Sequence, residues 1–148
     1  MIATSMPAGF RHGLCALYAL AWSSGLGFFV LHTWFVVDGD FGPQQHPWQY
    51  TALQIHGGAA FLMMITFGFV LGAHVQYAWK LQGKNIFGIA LITLSAILMM
   101  TAYLLYYIAA DEFRELLGYV HLAVGFFLPL ALILHLRKKP ASGVRANR

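Results

Sequence analysis

The 148-residue chain has one cysteine, five acidic residues, and long stretches with no charge at all. Cys15 alone rules out an intrachain disulfide, a cluster held by several thiolates, and covalent attachment of a prosthetic group through a CxxCH pattern. Asp, Glu, Lys and Arg together make up 9% of the residues against 59% hydrophobic, and mean hydropathy is +0.67. Such a composition describes a chain that sits mostly in lipid. Its pI near 9.4 comes from basic residues that flank apolar runs, so we read no nucleic-acid surface in it.

Four runs are long enough to cross a hydrocarbon core about 30 Å thick as helices: residues 13–37, 51–78, 86–110 and 117–136. The connections are short, which makes successive helices antiparallel neighbours. The expected fold is all-α, an integral membrane four-helix bundle forming a single transmembrane domain over residues 1–148, with no room for a separate soluble domain. The first run is longer than a signal-peptide core and no small-residue cleavage pattern follows it, so it is expected to remain as a helix. Arg11, Lys80, Lys84, Arg137, Lys138, Lys139, Arg145 and Arg148 flank the ends that share a side with both termini, and all five acids (Asp38, Asp40, Asp111, Glu112 and Glu115) lie on the other side with Arg114. The positive-inside rule then puts both termini in the cytoplasm and the chain in the inner (cytoplasmic) membrane as a multi-pass protein.

Against this apolar background the histidines stand out. His56 and His74 lie eighteen residues apart in a charge-free run; at about 100° per residue this is five turns, so they share a helix face about 27 Å apart. His121 and His135, fourteen residues apart on the last span, share a face about 21 Å apart. The second and fourth spans run in the same direction, which pairs His56 with His121 toward the outer side and His74 with His135 toward the cytoplasm. In a square bundle, diagonal axes about 11–14 Å apart leave a gap for a flat macrocycle whose iron takes an imidazole from each side. Haem fits this gap. A zinc or copper ion needs its ligands to converge on one point, and no Cys, Asp or Glu accompanies these histidines. Ionisable side chains at membrane depth are costly and usually functional, whereas His12 and His46, near the interfaces, read as structural. His32 lies about as deep as His56 and is a reserve ligand, a propionate partner or a quinone contact.

Gly57, Gly58 and Ala60, Gly72 and Ala73, and Gly118 and Gly125 surround the histidines with small residues that give a large ring access to backbone. Small residues at such spacing are equally the ordinary means of packing membrane helices. Met63, Phe67 and Leu128 lie between the histidines of each span, as a separator of two haems or as plain core. Trp34, Trp48, Tyr50, Tyr77, Trp79, Tyr106 and Tyr107 fall near the expected interfaces and read as anchoring belts.

The runs IHGGAAF and GAHVQYAW, the ending TAYLLYY, the acidic stretch DEFREL and VHLAVGFFLPLALILH together resemble the small four-helix di-haem b-type membrane cytochromes, which include the cytochrome b anchor subunits of formate dehydrogenases and nickel-iron hydrogenases. The resemblance extends from about Arg11 to Lys139. It implies electron transfer through two b haems, between a partner at one membrane face and a quinone or second partner at the other. The partners it implies are other subunits of a redox complex, with a periplasmic cytochrome c or iron-sulfur protein as candidates. The stretch FRHGLCALYALAWSSG is similar to the first helix of the hydrogenase-type anchors, whose early histidine binds the inner haem; this implies His12 as an alternative to His74.

Two axial imidazoles saturate an iron, which suits a relay rather than oxygen chemistry. Arg114 on the outer side and Arg137, Lys138 or Lys80 on the inner side are the cations available to haem propionates, with Arg suited to bidentate bonds. Two other classes remain: a haemless anchor subunit, and a small histidine-lined metal transporter, against which the lack of any acid within the spans counts.

Overall fold

The computed structural model describes residues 6–82 and 85–137. It contains four helices long and apolar enough to cross a membrane: Ala8–Trp34, Pro47–Lys80, Ile86–Tyr107 and Asp111–Arg137. Lys84, Lys138, Lys139, Arg145 and Arg148 of the expected basic flank lie outside the described residues. The chain divides into two compact units, Met1–His74 and Val75–Arg148, each built on one antiparallel helical hairpin.

In the first unit α1 (Ala8–Trp34) begins directly after Pro7, earlier than its apolar run suggests, because Pro fits a helix start where the first amides have no intrahelical partner. It ends three residues before the expected Val37. Val36 and Val37 are β-branched and enter a strand instead. Strands β1 (Val36–Gly39) and β2 (Gly42–Gln45) pair antiparallel, with Val36 opposite Gln45 and Gly39 opposite Gly42. Asp40 and Phe41 form the turn, and Gly42 takes the left-handed step at φ 104° that a side chain would disfavour. This hairpin forms the connection between the first two long helices.

Helix α2 (Pro47–Val70) starts four residues before the expected Thr51. Pro47 stands at its first position and His46 caps it, with Nδ1 accepting from the Trp48 amide at 3.2 Å. Phe10 near the start of α1 packs on Phe69 near the end of α2, ring centroids 5.2 Å apart. The helix does not run on as an α-helix to Ala78: Leu71–Val75 forms a π-helical turn.

In the second unit α3 (Gln76–Gln82) is followed by α4 (Ile86–Tyr107), whose first amides are capped by Asn85, its Oδ1 accepting from the Phe87 amide at 3.1 Å. Helix α5 (Asp111–Arg137) starts six residues before Leu117. The acidic stretch forms the first turns of this helix, where Asp111 and Glu112 oppose the positive end of the dipole. Arg114 closes the connection: Nη1 donates to the Leu105 carbonyl at 2.6 Å and reaches that of Ile108 at 3.5 Å. Pro129 lies inside α5, which continues through it.

Little is buried in either unit. Among the described residues Ala59, Leu117, Leu128 and Ala131 are the buried apolar ones and Ser95 and Thr101 the buried polar ones, and large side chains such as Phe61, Phe69, Phe126 and Phe127 are exposed.

Candidate functional site

His56 sits on the face of α2 that meets α1, one turn before the buried Ala59. Its Nδ1 is 2.8 Å from the Ala21 carbonyl. A carbonyl oxygen only accepts, so Nδ1 carries the hydrogen and the neutral ring holds its lone pair on Nε2. The approach depends on Gly25, one turn beyond Ala21 on α1. A Cβ at Gly25 would lie 2.8 Å from the His56 Cε1 and 2.9 Å from Nδ1, closer than side-chain carbons come. A side chain four residues on also shields the carbonyl it follows. Glycine at this position both clears the ring and uncovers its acceptor.

The opposite tautomer is set at the end of the same hairpin. Gln49 Nε2 donates to His32 Nδ1 at 3.1 Å, which leaves the neutral His32 with its hydrogen on Nε2. Gln49 Oε1 is buried with no hydrogen bond among the described residues. His32 stacks on Phe28, centroids 5.7 Å apart and planes 11° from parallel. His46 likewise uses its Nδ1 lone pair, as a cap. Of the histidines in this unit, His12 and His32 are exposed, and His56 and His74 are half-buried.

His74 lies within the π-helical turn. Hydrogen bonds from i to i+5 put more residues into each turn than in an α-helix, so counting eighteen residues as five turns does not hold over this last stretch. The expectation that His56 and His74 share one face of a continuous α-helix is corrected here, although π-turns frequently mark functional positions.

In the second unit His121 and His135 keep the common face expected of them. Both lie on the α5 stripe that carries Leu117, Leu128 and Ala131, and that stripe faces α4. His121 Nδ1 is 2.8 Å from Thr101 Oγ1. His135 packs over Gly88, where an added Cβ would meet its Cε1 at 3.4 Å and Nδ1 at 3.6 Å. A Cβ added at Gly125 would meet Leu98 Cδ2 at 3.7 Å, an ordinary contact, whereas one at Gly57, Gly58, Gly72 or Gly118 would meet nothing within 4 Å. Gly25, on the helix opposite His56, is the glycine whose lack of a side chain admits an imidazole; a Cβ at Gly88 would make only ordinary contact with His135, and open space lies over Gly57, Gly58, Gly72 and Gly118.

Arg114 serves first as the cap of α4, and Arg137 is exposed at the end of α5. No group of three or more His, Cys, Asp or Glu able to hold a metal ion is gathered among the described residues. A macrocycle held by coordination asks for single imidazoles rather than a cluster, and His56, His74, His121 and His135 supply them from α2, the π-helical turn and α5. In comparisons with known proteins, no family model matches the chain, nor does any curated protein or solved structure.

Proposed function

We propose that the chain is a membrane electron-transfer subunit, a di-haem cytochrome b that relays electrons between a redox partner and quinone or a second partner. The observation that supports this best is the bond from His56 Nδ1–H to the Ala21 carbonyl. Metal-bound histidines characteristically donate their other ring hydrogen to a carbonyl, which fixes tautomer and orientation and raises ligand basicity. The burial pattern agrees: His56, His74, His121 and His135 are half-buried, while the reserve ligands His12 and His32 are exposed.

Haem, when bound, supplies the one-electron chemistry, and the chain's own residues hold and tune it. His56, His121, His74 and His135 would hold the haem irons, with the pairing taken from the sequence register. Arg114 and Arg137 are the proposed propionate partners; Arg114 has further N–H donors beyond the one on the α4 carbonyls. The apolar helices keep water from the ligands. On this reading the protein is a multi-pass subunit of the inner membrane, with cytoplasmic termini, in contact with lipid and with other subunits of a redox complex. A periplasmic cytochrome c or iron-sulfur protein would meet its acidic side.

The bond at His56 also favours one alternative, a haemless anchor in which imidazoles tie helices together, since interhelical hydrogen bonds of this kind hold membrane helices without metal. A reduced-minus-oxidised visible spectrum with extracted haem counted per chain separates the two. Two low-spin b haems are expected; none would establish the anchor or reopen the metal-transporter reading. His56→Ala and His121→Ala should each remove one haem, and His74→Ala and His135→Ala the other. If His32→Ala removes a haem and His56→Ala does not, the outer assignment is wrong.

A further inference from the structure

Thr101 is one of the few buried residues, 6% exposed, and it is polar. Its hydroxyl oxygen lies 2.9 Å from the Ile97 carbonyl, 3.1 Å from that of Leu98, and 2.8 Å from His121 Nδ1. A hydroxyl has one hydrogen, and the two carbonyls of its own helix can only accept it. With its hydrogen committed to those carbonyls, the back-bonded arrangement usual for a helical threonine, the oxygen offers the imidazole lone pairs, which assigns the hydrogen to His121 Nδ1 and the lone pair to Nε2. This is the tautomer that the Ala21 carbonyl imposes on His56, reached by another route.

We infer that Thr101 is the positioning residue of His121: its hydroxyl accepts the Nδ1 hydrogen and thereby fixes the ring's tautomer and orientation for ligation through Nε2. The inference rests on the reading of His121 as an iron ligand. The residue type suits the task. The branched Cβ of threonine restricts χ1, and the bond back to the preceding turn holds the oxygen in one direction. At His56 the acceptor is backbone and no substitution deletes it. At His121 the acceptor is a side chain, so its contribution can be removed by changing a single residue.

Thr101→Val keeps the shape and removes the acceptor. Haem titrated into apo-protein should bind one of its two sites roughly 10–100-fold more weakly, as losses of this kind do at metal-bound histidines. The midpoint potential of that haem should also rise, since an imidazole without an acceptor is a poorer donor to ferric iron. Thr101→Ser should restore both properties, which a purely packing role would not predict. Should valine prevent folding, Thr101→Cys, whose sulfur is a weak acceptor, should shift affinity and potential in the same directions. If the wild type binds two haems and neither Val nor Cys moves either property, Thr101 has no positioning role and the cytochrome reading stands. If the wild type binds none, the ligand reading of His121 falls, and this inference with it.

Discussion

Gly25 shows how much a missing side chain can decide. It admits the His56 ring to α1 and leaves the Ala21 carbonyl uncovered. Gly25→Ala should push the ring off its acceptor at a cost of about 1–3 kcal/mol, the usual range for overpacking a tight contact. Thermal unfolding of the detergent-solubilised protein would register the loss, and the haem count should fall by one with His74 and His135 untouched. A normal haem count with unchanged stability would mean that the ring relocates freely. At this scale the sequence is half informative. The histidines of α2 and α5 are visible because imidazoles are rare in charge-free runs. The residues that orient them are not, since Ala21 is 35 positions from His56 and nothing in SSGLGFF distinguishes a glycine facing an imidazole from one facing lipid.

At the scale of elements, existence was easier to read than extent. Apolar length alone finds all four long helices, because a membrane-crossing helix must be continuous and uncharged over its middle. Their ends depend on capping and turn chemistry instead. Pro7 and Pro47 open helices in positions where proline also reads as loop, and Asp111 and Glu112 begin a helix where acids also read as surface turn. The π-turn at Leu71–Val75 has no signature in composition, and it undoes the phase calculation for His74. One cap offers a direct check. Asn85→Ala removes the acceptor for the Phe87 amide and should cost about 1 kcal/mol. Hydrogen exchange at the first amides of α4 should speed up while that of its central turns stays unchanged; equal protection in both proteins would show that the cap carries no stability.

For the whole molecule, the charge asymmetry makes a claim about sidedness that sequence alone can state and only labelling can check. In a Cys15→Ser background, F41C at the exposed hairpin tip should react with a membrane-impermeant maleimide added to intact cells, and K80C should react only after the cells are opened. The reverse pattern would invert the proposed topology. The short connections were legible from length and hydropathy; the β-hairpin was not, since four-residue strands fall below what periodicity resolves.

The division of polarity carries a further consequence. Ser95 and Thr101 are among the most enclosed side chains, whereas Phe61, Phe69, Phe126 and Phe127 point outward. In a lipid setting, tolerance to substitution is turned inside out relative to a protein in water. Outward positions accept almost any apolar side chain and reject charge, so they are free to drift in sequence without drifting in character. Inward positions are limited by size rather than by hydrophobicity. The memory of what this molecule does would then be kept in its smallest residues and lost from its largest.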